Sequence, residues 1–393
     1  MQNATIAPAV QAYNNSDEGA INFGQQAFSY TPPTGYRKLN SNNLPVNTTP
    51  TILKPEQHFT TVTWTGDGTN NRTIPVTFRP DFVWLKARGV TYDHRLWNTL
   101  TPTHYMFSNN TSTETTTYGA FNVNDDGIRV WASVNNNNSS QDYVAWCWKA
   151  GGAAVTNNDG SIASQVSANQ EAGFSILTYT ATNNVSETIG HGLGAKPAMI
   201  IVKSRSVSGQ DWVIYNKNLD GGNQPATHIL KFTTAAEADV NDVWQDTEPT
   251  SSVFTIGTEA MVNHQAGHLY VAYCWAEIPG YSKFGSYYGN NDGNGQYVYM
   301  GFRPAWILIK RSSSESWVMG DIKRNSNAGR RTPADSYILA DGSGAEATGI
   351  IYEFLSDGIK FGNTSQNEAS VYYYWAFAEQ MGATPFGTDV NAG

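Results

Sequence analysis

Phe78 to Arg88 reads FRPDFVWLKAR, and two later stretches follow the same plan: AKPAMIIVKSR from Ala195 and FRPAWILIKRS from Phe302. Their prolines, Pro80, Pro197 and Pro304, lie 117 and 107 residues apart, and each leads about five apolar residues that end in a lysine, Lys86, Lys203 or Lys310. An apolar run rich in β-branched and aromatic residues and introduced by proline predicts a strand buried on both faces, with Pro placed where no ladder N–H is needed. Recurrence at this spacing points to duplication of one unit.

Other features recur in the same order. Trp97, Trp212 and Trp317 follow the lysines and read as a second anchor, and an aromatic and small alternation closes each unit at Tyr143 to Ala150, Tyr270 to Glu277 and Tyr372 to Glu379. Asp126-Gly127-Ile128 and Asp357-Gly358-Ile359 place Asp-Gly before a strand, a hairpin signal because Gly accepts positive φ. The expected fold is all-β: three tandem homologous antiparallel β-sandwich or jelly-roll-like domains preceded by an extended arm. The boundaries read as an N-terminal arm over 1–55, a first repeat over 56–150, a Gly-, Ala- and Ser-rich linker over 151–171, a second repeat over 172–280 and a third over 281–393. A short helix is expected only in Thr234 to Val243.

The net charge is -9, with a pI near 5.2, which gives no electrostatic reason to bind nucleic acid or an anionic membrane surface. No apolar run is long enough to span a bilayer, and the first residues lack the basic and apolar blocks of a secretion signal. Cys147 and Cys274 occupy matching positions of two repeats, where the third has Ala376, so they read as small buried residues.

The aspartates sit largely in Asp-Gly turns and the glutamates are scattered, so no paired-carboxylate site for glycan hydrolysis emerges, and no metal or cofactor site is expected. Candidate ligand or partner contacts lie where the copies differ. Trp131 with Asn135 and Asn136 offers an aromatic ring beside side-chain amides; His264 and His268 form the one close histidine pair; and Lys323, Arg324, Arg330 and Arg331 concentrate positive charge in one loop.

The segment GFSILTYTATNNVSETIGHGLGAKPAMIIVKSRS from Gly173, the joint WAEIPGYSKFGSY from Trp275 and the opening Phe302-Arg303-Pro304 resemble an uncharacterised repeated β-domain of tail-fibre-like proteins in marine phages, especially cyanophages. The arm NFGQQAFSYTPPTGY resembles the closing strand of a SPRY-type sandwich. The resemblance implies a non-enzymatic virion protein, made in the host cytoplasm, whose arm docks on other virion proteins or completes a neighbouring subunit's sheet. It implies homotrimers and attachment to a host-surface glycan or protein. A capsid-decorating or connector protein is the alternative, and a glycan depolymerase is a third reading.

Overall fold

Each of the three proline-led runs is a strand buried along nearly its whole length: Phe82–Ala87, Met199–Ser204 and Pro304–Arg311. A computed structural model describes residues 51–116, 121–324 and 334–378, and the chain is all-β, with antiparallel pairing throughout its sheets. In the first repeat the lead strand lies between Asp142–Trp148 and Arg95–Asn98, with Phe59–Thr65 and His104–Met106 outside them. The second repeat has the corresponding order Phe174–Thr180, Leu269–Trp275, Met199–Ser204, Val213–Asn216, His228–Lys231. In the third it is Ser282–Tyr288, Val371–Ala378, Pro304–Arg311, Val318–Asp321, Ala334–Leu339. Register is shared as well as order: Phe82 pairs with Trp148 and Asn98, Met199 with Trp275 and Asn216, Trp306 with Phe377 and Asp321.

Because successive side chains alternate across a strand, the five shared strands of each sheet present two apolar faces. The outer face covers a core private to its repeat, closed by short strands such as Arg72–Pro75, Glu187–Gly190 and Tyr297–Tyr299. The inner faces of all three sheets meet in one common core. It is built in layers of equivalent residues: Phe82, Met199 and Trp306; Trp84, Ile201 and Leu308; Trp148, Trp275 and Phe377. Trp148 touches both of the other repeats, with Trp275 at 6.4 Å and Trp306 at 5.6 Å between ring centroids. Burying one such ring is worth about 4 to 6 kcal/mol before entropy, at 25 cal/mol per Å² over 150 to 250 Å².

The repeats are therefore arranged as a ring about a quasi-threefold axis, all within the unit Pro50–Gly382. Three equivalent hydrogen bonds close it. Trp212 Nε1 of the second repeat donates to Phe107 O of the first, and Trp317 Nε1 of the third donates to Lys231 O of the second, both at 2.6 Å. His94 Nε2 of the first meets Leu339 O of the third at 3.0 Å. The pairings Leu96 with Met106, Ile214 with Leu230 and Met319 with Ile338 put the three acceptors in register.

This geometry corrects the second anchor. His94, not Trp97, is the counterpart of Trp212 and Trp317, each standing four residues before Asn98, Asn216 or Asp321. Trp97 instead packs in the outer core of its own repeat. The segment read as a linker, 151–171, carries the strands Val155–Asn157 and Ser164–Asn169, which extend the second sheet; small residues such as Ser164 and Ser167 are buried there. The expected helix reduces to four residues, Asn241–Trp244, preceded by the two-residue strand Ala238–Asp239, and its N-cap, Val240, has no side-chain oxygen to hold the first N–H groups. Cys147 and Cys274 are free and buried. The arm lies outside the described residues as far as residue 50; Ile52 is buried in the common core.

Candidate functional site

The lead strand runs from the end where the repeats are joined towards a hairpin at the opposite end. The turns that follow Trp148 and Trp275 and those that precede Phe174 and Ser282, the entry at Phe59 and the exit at Ala378 all lie at the joint end. The other, loop end carries the hairpins after Lys86, Lys203 and Lys310.

At the loop end the three repeats surround one pocket of about 270 Å³, lined by Asn109 and Asn110 of the first repeat, Asp211, Trp212 and Thr233 of the second and Asp341 of the third. Asn109, Thr233 and Asp341 are equivalent, each three residues beyond the paired Met106, Leu230 or Ile338. A pocket reached by the same position of all three repeats lies near the quasi-threefold axis, with most of its lining from the first and second repeats. At its wall Ser108 Oγ of the first repeat donates to Ala340 O of the third at 2.5 Å.

The electrostatics are balanced. Asp93 accepts from Asn109 Nδ2 at 2.6 Å and Asn110 Nδ2 at 3.4 Å, Asp211 pairs with Lys231 at 3.1 Å, and Asp341 accepts from the Trp317 N–H at 3.0 Å. Burial raises the Asp341 carboxyl, and the Trp317 N–H opposes it. Beneath the rim, Lys86, Lys203 and Lys310 are wholly buried, and their ammonium groups donate to carbonyls of their own hairpins: Ala87 and Val90, Gln210, Arg311 and Ser313. Burial pulls each down to about 8, opposed by the charges of Asp93, Asp211 and Asp341. The three ammonium groups are taken up by these carbonyls, and none of the three lysines lines the pocket. The pocket offers amides, hydroxyls and carboxylates to a polar ligand instead.

Among the described residues, the three groups singled out from sequence lie in three different repeats. Trp131 and Asn135 are half-buried, and Asn136 is buried with its carbonyl accepting from Trp64 Nε1 at 2.9 Å. The Asn-rich loop is tied down by Asn137, which bonds Asp67 and Thr69. Asn263 and Asn367 make the corresponding clamps, to Asn184 O and Asp292 O. His264 and His268 are half-buried with ring centroids 5.2 Å apart, and no group of three metal-binding side chains forms among the described residues. Lys323 is exposed, but Arg324 is not a surface contact: its side chain is fully buried, 2.5 Å from Asp321 and 3.1 Å from Glu346, with its guanidinium 5.6 Å from the Trp146 ring centroid. Two carboxylates and an indole face hold it as a strut between the third and first repeats. Arg330 and Arg331 lie outside the described residues.

Sequence reasoning missed the axial pocket, since Asn109, Thr233 and Asp341 share neither type nor local motif. Counting outward from the lead strand in each repeat would have aligned them.

A family model described as a domain of unknown function, DUF7483, matches residues 54–381. The chain belongs to this family. The match spans all three repeats, so the family's unit is the whole ring and not one sheet. No curated protein and no solved structure matches the chain.

Proposed function

We propose that the chain is a non-enzymatic virion component of tail-fibre or spike type that turns its loop end towards a host surface. One observation carries the reading: three repeats converge on a polar axial pocket at the end opposite the chain's entry and exit. A module held from the joint end leaves that pocket and its surrounding hairpins free for contact. The sequence resemblance to marine phage fibre-like domains supplies the virion setting. The N-terminal arm is the proposed link to other virion proteins and to further copies, because the ring's three lateral faces are consumed within one chain.

The test is binding of labelled full-length protein to receptive cells. Thr234→Trp, an exposed position lining the pocket, is expected to fill it and weaken that binding. Retention on empty capsids with no cell binding would favour a decorating protein, and release of oligosaccharides from host polysaccharide would overturn the non-enzymatic reading.

A further inference from the structure

We propose that the outer layer of the third repeat carries a saccharide-binding face built on Tyr297 and Tyr299, separate from the axial pocket. The strand Tyr297–Tyr299 alternates sharply: Val298 is 6% exposed, but Tyr297 is 42% and Tyr299 62% exposed. The other repeats provide an internal control. Val298, Ile74 and Ile189 occupy the same place in the short outer strand, each pairing into the outer layer. Their flanking residues are Thr73 and Pro75 in the first repeat and Thr188 and Gly190 in the second. The core position therefore stays aliphatic in every copy, while the outward positions become aromatic in one copy only. Core packing explains the former and leaves the latter unexplained.

The rings have a seat. Gly358 lies opposite Tyr299 in the ladder, and a Cβ at Gly358 would stand 3.2 Å from the Tyr297 ring. A Cβ at Gly301 would stand 3.4 Å from the Tyr299 hydroxyl. Tyr297 thus packs over a bare glycine on the neighbouring strand while much of its surface remains in solvent. Polar groups border it: Tyr297 Oη donates to Asp357 O at 3.4 Å, and Lys360, paired with Tyr297 across the ladder, donates to Asn294 Oδ1 at 3.4 Å. An apolar ring face bordered by carboxylate, ammonium and amide groups matches a pyranose, which presents C–H groups on one face and hydroxyls at its edge.

The size of the patch selects the occupant. Two partly exposed tyrosines offer on the order of 200 Å², well under the roughly 800 Å² per partner of a stable protein interface. A sugar unit needs no more. Nucleic-acid stacking would call for a positive groove, which the acidic loop containing Asp292 and the exposed Asp357 do not make.

Full-length protein is screened against immobilised oligosaccharides, neutral and acidic, and the best binder is titrated in solution. Tyr297→Ala with Tyr299→Ala is expected to lower affinity at least tenfold with an unchanged melting temperature, Tyr299→Trp to retain or tighten it, and Thr234→Trp in the axial pocket to leave it unaltered. The proposal is overturned by absence of oligosaccharide binding, by binding that survives the double replacement, by loss confined to Thr234→Trp, or by capture of a protein partner on the tyrosine face in place of a sugar. Cell binding that needs the axial pocket but ignores the tyrosines would leave the proposed attachment role standing and remove this one.

Discussion

Two of the ring's three interfaces are tied by the same ion pair, and the third is not. Glu114 donates its N–H to Arg205 O and receives that arginine in a two-pronged pair at 2.8 and 3.2 Å. Glu346 does the same with Arg88, at 2.8 and 2.9 Å. At the interface of the third repeat with the second, Glu237 still donates its N–H to the equivalent carbonyl, but that residue is Ser312, and the carboxylate turns to Tyr373 Oη and the Asp220 N–H. The contrast continues inside. Trp146 Nε1 reaches Asp321 at 3.1 Å and Asn98 reaches Tyr273 Oη at 3.0 Å, whereas the corresponding Trp375 Nε1 and Asn216 Nδ2 have no partner among the described residues.

The backbone contact is thus common to all three interfaces, and the side chains reinforce it unequally. The sparsest interface is the one whose repeats are joined by the shortest connection, 276–281, where covalent linkage already holds the partners at high effective concentration. The first and third repeats have no direct covalent joint, and there Arg324, held within the third repeat by Asp321 and Glu346, sets its guanidinium against the Trp146 ring of the first in addition to the Arg88–Glu346 pair.

Arg324→Met should break this comparison most severely. It leaves Asp321 buried without its cation, and a loss of about 3 to 5 kcal/mol is expected in denaturant unfolding. An effect equal to that of an exposed position would show that the strut does not hold the ring. His94 gives the next largest effect. It accepts from Trp84 Nε1 at Nδ1 and donates from Nε2, so it must be neutral, and burial pulls it down to about 3. A folded value below the unfolded 6.5 means that the unfolded chain binds the proton first. Stability should therefore fall as pH drops from 6.5 towards 3, by on the order of 2 kcal/mol at pH 5. His94→Gln should flatten that dependence, and the indoles of Trp212 and Trp317 cannot titrate. The smallest effect is expected from Ser312→Arg, which supplies the missing arginine to Glu237. A gain under about 1 kcal/mol in thermal unfolding is expected, since Glu237 is already engaged.

Much of this fold could be read from residues alone. Both faces of the lead strands are apolar, and a strand buried on both faces announces cover on each side; what it cannot announce is that the inner cover is the other two repeats. Matching by residue type aligns Trp97 with Trp212 and Trp317, but position along the strand decides the counterpart, and a histidine makes the same hydrogen bond as an indole. The Gly-, Ala- and Ser-rich stretch after residue 150 looked like a linker although small residues also suit a strand packed closely against its neighbours. The axial pocket was illegible for a deeper reason: its equivalent residues, Asn109, Thr233 and Asp341, are chemically unlike, and only the closure of the ring brings them together.

That closure sets a delay on the ribosome. His94 meets Leu339 across 245 residues of chain. At the usual 5 to 20 residues per second, roughly 12 to 50 seconds separate the synthesis of the two. Throughout that interval Phe82, Trp84 and Trp148 lack the third repeat's half of their surroundings. A nascent chain with this architecture therefore carries an unfinished aromatic face until its last repeat emerges, and holding that face apart from its neighbours on a crowded polysome is a task for chaperones.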